Sequence, residues 1–203
     1  MRHAGLPPKV VLASSNPGKL AEFARLLQAL GTEVLSQGSL GIEDAEETGL
    51  SFVENAIIKA RHASKHAGLP ALADDSGLMV DALHGAPGVY SARFAGPGAD
   101  TAANNALLLW KLQEVPEPER TACFRCCIVY VQRHDDPLPL IAEAGWNGSI
   151  LREAAGSGGF GYDPLFQVAG RGCSAAQLEM VEKNRISHRA QAMAGMAQLL
   201  AQL

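Results

Sequence analysis

The chain opens on a short apolar run, residues 9–13 (KVVLA), which reads as a buried strand ending in the polar segment SSNPGK. Asn16 then stands as a helix cap, with Pro17 at the first helical position, where no intrahelical N–H is needed. Leu20, Phe23, Leu26, Leu27 and Leu30 repeat at helical spacing, Gly31 ends the helix, and residues 33–35 start a second strand. Residues 38–50 are polar, acidic and glycine-punctuated, and read as a loop. Ser51 with Glu54 three residues later forms a capping box, followed by Ala56, Ile57, Ala60 and Ala63 on a helix ending near Gly68. The segment ALADDSGLMVDAL reads as strand, acidic turn and strand. A loop-rich stretch separates it from a helix over residues 102–112. Residues 121–133 and 138–147 read as two antiparallel strands around HDDP. Ser174 with Gln177 caps a short helix, and Ser187 begins a final one with Ala190, Met193, Ala194, Ala197 and Leu200 available for packing. Strands interspersed with helices, without repeats or linkers, predict an α/β fold. The expected form is elongated and two-lobed, a mixed sheet with a central cleft. Residues 9–203 would make one two-lobed domain and residues 1–8 a frayed, flexible leader.

Composition narrows the partners more than the fold. The 203 residues are 47% hydrophobic and 19% charged, ordinary for a globular chain, and the formal net charge is −4. That balance argues against a uniformly basic groove for a nucleic acid polymer, while leaving room for one small basic pocket. No run reaches the roughly 18 apolar residues of a membrane helix. The first eight residues, broken by Pro7 and Pro8, lack a secretory pattern, so a cytoplasmic location is expected. Cys123 and Cys126 form a CxxC, but strand positions three apart face opposite ways and no second ligand pair accompanies them. Reduced, mostly buried cysteines are expected rather than zinc.

Five constellations can carry chemistry. SSNPGK, from Ser14 and Ser15 through Asn16, Pro17 and Gly18 to Lys19, joins a strand to a helix N-terminus, where backbone N–H groups and a lysine suit phosphate. It equally suits a plain capped helix, and it is no Walker A loop. Asp74, Asp75 and Ser76, together with Glu46 and Glu47, offer hard oxygen donors for a cation such as Mg²⁺, or else an Asx-type turn beside surface glutamates. Adjacent Asp74 and Asp75 would point different ways if extended, so they hold different jobs. Asn55 and Lys59, four apart, share a helix face that can look toward DDS. His62 and His66 also share a face, and surface histidines are the expectation there. In GSGGFGYDP, Phe160 and Tyr162 can stack on a purine or fill a core, and Asp163 can anchor Tyr162 or a ligand. In EKNRISHRA, Lys183, Arg185, His188 and Arg189 can neutralise phosphate or read keto oxygens, or form a solvated basic helix start.

Taken in order, SSNPGK, EETGLSFVENAIIKA, ADDSGLMVDAL, GAPGVYSARFAG, GSGGFGYDP and EKNRISHR resemble the HAM1-like family of non-canonical purine nucleoside triphosphate pyrophosphatases, especially its bacterial form. The likeness runs from about Lys9 to Leu200. It implies hydrolysis of dITP, ITP, dXTP or XTP to the monophosphate and pyrophosphate, with Mg²⁺, in a homodimer. By the same resemblance Ser14 to Lys19 bind phosphate, Glu46 holds magnesium with Glu47 as a second candidate, and Asp75 is the metal-associated catalytic acid and proton acceptor. Ser76, Phe160, Gly161, Tyr162, Asp163 and Lys183 become substrate contacts, and His188 with Arg189 the base-reading pair. Ser15 and Ala190 stand where glycine is common in the family; neither removes a group the chemistry requires. Two other functions compete: a Maf-like pyrophosphatase for pyrimidine or modified nucleotides, and a nucleotide sensor without activity.

Overall fold

The first third of the chain is a strand–helix alternation, seen in a computed structural model that describes residues 6–14, 17–28 and 31–203. Strand β1 (Lys9–Leu12) leads into helix α1 (Pro17–Gln28), strand β2 (Glu33–Ser36), helix α2 (Phe52–Ala67) and strand β3 (Ala71–Val80). Strands β2 and β3 both pair with β1 in parallel, in registers Val10↔Val34 and Val11↔Ala71. Parallel neighbours need crossovers, and the right-handed rule sends α1 and α2 to opposite faces of this sheet. Packing agrees with that rule. Val11, Ala13, Ala71 and Ala73 share one cluster with Ala56, Ala60 and Ala63 of α2. The intervening Val10, Leu12 and Leu72 are fully buried, as are Phe23 and Leu27 of α1. Ser51 caps α2 as the sequence predicts, accepting from the Glu54 N–H at 3.3 Å. The Glu54 carboxylate returns to the Ser51 hydroxyl and reaches one residue further, to the Leu50 N–H at 2.9 Å. Gly68 closes the helix in the left-handed region, φ 66°, where glycine alone bears no Cβ penalty.

Helix α3 (Thr101–Lys111), strands β4 (Thr121–Val131), β5 (Leu140–Ile150) and β6 (Phe166–Val168), and helices α4 (Met180–Ile186) and α5 (His188–Leu200) complete the chain. The sheet order is β2-β1-β3-β4-β5-β6, with β5 and β6 antiparallel, so the fold is α/β with a mixed sheet. Two compact units emerge. One takes the residues up to Asp75, Cys126–Glu143 and Ala192–Leu203; the other takes Ser76–Arg125 and Ala144–Gln191. Strands β3, β4 and β5 therefore each divide between the two.

The core of the second unit is aromatic. Leu78, Leu108, Leu112, Phe124, Trp146, Tyr162 and Phe166 form one buried cluster. Arg120 sits in this unit only 1% exposed and donates to three carbonyls, Leu112 at 2.6 Å, Ile150 at 2.7 Å and Leu151 at 2.9 Å. It closes the end of α3 onto the end of β5, meeting backbone acceptors that burial would otherwise leave unsatisfied.

Several elements differ from the sequence reading, among them strand β6, which no sequence pattern forecasts. The expected strand–turn–strand over residues 71–83 is one ten-residue strand, β3, because lysines from two helices neutralise Asp74 and Asp75 in place. Helix α4 has no sequence forecast: it is seven residues long and its Met180 and Val181 are exposed, so no apolar stripe announces it. In α5 Leu200 is buried as expected, but His188, Ala192 and Met196 are the other buried positions, in place of the expected Ala190, Met193, Ala194 and Ala197. None of the four cysteines is in a disulfide, Cys126 and Cys127 are buried, and burial with the nearby Glu143 charge pushes the Cys127 thiol up to about 12. No helix among the described residues is long and apolar enough to cross a membrane.

Candidate functional site

In the first unit the alternation of β3 sends consecutive carboxylates to opposite faces. Asp74 meets Lys19, in the first turn of α1, at 2.9 Å. Asp75 meets Lys59 of α2, with Nζ 2.9 Å from Oδ1, and the same ammonium lies 2.7 Å from Oε1 of Glu47. Asn55, one turn before Lys59, donates to the other Asp75 oxygen at 3.3 Å. Both side chains sit on the α2 face that the i, i+4 spacing predicts, turned toward DDS. Burial holds the Asp75 carboxyl above the usual carboxylate range, the Lys59 charge opposing that shift and the Glu47 charge adding to it. Burial pulls Lys59 down, yet the two carboxylates outweigh it and leave the ammonium above its ordinary value. The result is one cation between two carboxylates, at a place that is only partly open to water.

In the second unit a left-handed glycine on each side presents Phe160 to solvent: Gly159 has φ 72° and Gly161 has φ 60°, and the Phe160 ring is 65% exposed. A Cβ on Gly159 would run into the Asp163 carboxylate and lie 3.0 Å from the Lys183 ammonium. Asp163 is the hub of this loop. Its Oδ2 accepts from the Phe160 N–H at 2.7 Å and pairs with Lys183 of α4. Lys183 Nζ lies 5.0 Å from the Phe160 ring centroid and the Arg189 guanidinium 5.6 Å. Cation–π contacts of this kind contribute about 0.5–1 kcal/mol when exposed and hold the ring beside two positive charges. His188, 8% exposed, stacks on Phe124 with centroids 4.9 Å apart and planes 10° apart, and lies 6.4 Å from Trp146.

The predicted residues thus fall into groups. Asp75, Glu47, Lys59 and Asn55 come together in the first unit. Phe160, Asp163, Lys183 and Arg189 come together in the second, where His188 stacks on Phe124. Ser76 follows Asp75 on β3, half-buried, and Ser14 is half-buried at the end of β1. Pro17 opens α1 and Gly18 is exposed, while Ser15 and Asn16 lie outside the described residues. Glu46 is exposed, and Glu47 is the glutamate that reaches Lys59. Tyr162 is in the core with its hydroxyl donating to the Ser91 carbonyl at 2.8 Å, and burial raises its phenol well above the ordinary value. Its ring is therefore a wall of the core, and Phe160 is the aromatic open to a ligand. Phe124 and Trp146, behind His188, are site neighbours that the sequence signals only as two aromatics on adjacent strands. His62 and His66 contact each other, centroids 4.5 Å apart, and His62 meets the Glu43 carbonyl.

A carboxylate pair bridged by lysine, a lysine in the first turn of a helix after a strand, and an exposed aromatic beside two cations are the polar clusters of this α/β protein. The chain belongs to the Ham1 family, whose model matches residues 10–199. A dITP/XTP pyrophosphatase from Thioalkalivibrio sulfidiphilus is 55% identical over 185 residues, 91% of this chain and 94% of that one. One from Shigella flexneri is also 55% identical over the same shares. A HAM1 protein structure from Coxiella burnetii superposes with TM-score 0.93 at 47% identity, covering 97% of this chain and all of that one.

Proposed function

We propose that the protein hydrolyses non-canonical purine nucleoside triphosphates, dITP and XTP and their ribose or deoxyribose counterparts, to the monophosphate and pyrophosphate. The observation that carries this reading is the convergence of Asp75 and Glu47 on one cation position, occupied by the Lys59 ammonium. It is joined by the names of relatives that match nine-tenths of the chain. Neither the Maf-like alternative nor a silent sensor has comparable support.

Two carboxylates meeting at a cation suit Mg²⁺, which takes one or two protein carboxylates and fills its remaining positions with phosphate oxygens and water. Asp75 would hold the ion with Glu46, the resemblance's first choice, or with Glu47, one residue away on the same loop and in reach of Lys59. When bound, Mg²⁺ would lower the pKa of a water and offset phosphate charge. Asp75 takes the proton from the attacking water. The water oxygen bonds to the α-phosphorus, the bond from that phosphorus to the α–β bridging oxygen breaks, and the electron pair leaves with pyrophosphate. Lys19 and the N–H groups opening α1, with Ser14 to Gly18 before it, receive phosphate oxygens. Phe160 stacks on the base, Lys183 with Asp163 fixes that platform, and His188 with Arg189 donates to the keto edge. Ser76, Gly161 and Tyr162 support these contacts through backbone and packing.

The test is a panel of dITP, XTP, ATP, dTTP and dUTP with Mg²⁺, followed by phosphorus NMR of the quenched reaction. Pyrophosphate and dIMP are expected as the first products of dITP. Appearance of dIDP with orthophosphate would move the attack to the γ-phosphorus and reject the mechanism, and preference for dTTP or dUTP would favour the pyrimidine enzyme. We also propose a homodimer acting on free nucleotides in the cytoplasm. Sedimentation at micromolar protein should give twice the chain mass of 21.4 kDa, and a stable monomer would refute it.

A further inference from the structure

Asn55 is completely buried, at 0% exposure, and both ends of its amide are engaged. Its Oδ1 accepts from the Gly49 N–H at 2.8 Å, and its Nδ2 donates to Asp75 Oδ2 at 3.3 Å. Gly49 lies two residues after Glu47, on the loop that carries both candidate metal carboxylates. The approach is close enough to require glycine: a Cβ at position 49 would stand 2.7 Å from Asn55 Oδ1 and 2.6 Å from the Glu54 Cβ. One amide thus ties the backbone of the glutamate loop to the carboxylate of β3, inside a single unit. Its polarity matters, because the carbonyl must face an N–H and the amino group a carboxylate. No isosteric residue offers both.

We propose that Asn55 is a positioning residue that sets the separation of Glu47 from Asp75, and so the width of the cation position they share. This rests on the proposed function. Asn55 touches neither phosphate nor base; it acts through Asp75 and the Gly49 backbone. Lys59 alone cannot do this, because a long flexible ammonium follows the carboxylates instead of fixing them. A short buried amide held at both ends does fix them, as outer hydrogen-bond partners of metal sites do.

The experiment combines kinetics with amide exchange. Asn55→Ala should lower kcat for dITP roughly 10- to 100-fold with KM little changed, the range for misplaced catalytic groups. In an Asp75→Asn background the same substitution should have little further effect, since its route to the reaction is already gone. Hydrogen exchange at Gly49 should speed up in Asn55→Ala. Asn55→Asp, which keeps the size and the acceptor, should leave Gly49 protected yet still lower kcat; it also serves if the alanine variant does not fold. Equal losses in the wild-type and Asp75→Asn backgrounds, or full kcat in Asn55→Ala, would overturn the positioning role. Unchanged Gly49 exchange would overturn the tie itself. A wild-type protein that releases no pyrophosphate from dITP would instead reject the functional reading, and the exchange result would still report on the tie.

Discussion

Asp75→Asn should fold normally and lose at least about 100-fold in kcat, roughly 3 kcal/mol of transition-state stabilisation. The substitution keeps size and hydrogen-bonding capacity, so Asn55 and Lys59 retain a neighbour of the same shape. It removes the charge, most of the basicity and much of the attraction for a divalent cation. Of the two carboxylates that flank Lys59, it leaves Glu47. Folding should survive because the lost ion pair is offset by relief of a buried charge, whose carboxyl burial already holds above its ordinary range. Nucleotide binding should persist in part, since Lys19, Phe160, Lys183, His188 and Arg189 are untouched. The measurement is steady-state dITP hydrolysis across a Mg²⁺ titration, with calorimetric ITP binding and a circular dichroism melt. Near-native turnover at ordinary Mg²⁺ would remove Asp75 from the catalytic role. Rescue at high Mg²⁺ would assign it to metal binding, and a persistent kcat defect with intact binding to proton transfer.

The second large effect is discrimination at the base. ITP should exceed ATP by at least about 100-fold in kcat/KM, because a buried donor aimed at a keto oxygen meets an amino group in adenine and is left unpaired. His188 suits that task. It is 8% exposed and stacked on Phe124 at 10°, so its ring plane is set and cannot swing to a new partner. Phe160 would stack on any purine and adds affinity without choice. The check is a competition between ITP and ATP read by separate monophosphate products, repeated with His188→Ala. Equal turnover of the two by the wild-type protein would reject this base reading, and an unchanged ratio in the variant would take His188 out of it.

Much of this arrangement could be read from local chemistry. The Ser51 and Glu54 cap, the Asn55 and Lys59 face, the strand at β1 and the glycine loop around Phe160 all follow from spacing over a few residues. What the sequence left open depends on distant partners. Glu46 and Glu47 are chemically alike, and only the position of Lys59 distinguishes them. Phe160 and Tyr162 lie two apart, yet one is open to solvent and the other buried, because Ser91 accepts from the Tyr162 hydroxyl 71 positions earlier. The DDS segment looked like a turn because two adjacent acids rarely sit inside a strand. Lysines arriving from α1 and α2 supply the compensation, and neither is adjacent in sequence. Most of the functional roles rested on resemblance to a family, since each cluster alone also admits a purely structural use.

The adjacency of Asp74 and Asp75 has a consequence for how this protein can change over evolutionary time. Two identical side chains next to each other look like a reserve, one able to stand in for the other. The alternation of β3 denies that: Asp74 serves α1 and Asp75 serves α2, on opposite sides of the sheet. A point substitution at either cannot be compensated by its neighbour. Sliding β3 by one residue would exchange the two acids, but it would also turn Ala71 and Ala73 away from α2 and bring Leu72 against it. The spacing between the α2 cap and DDS is therefore expected to tolerate no single-residue insertion or deletion, even where the inserted residue is itself harmless.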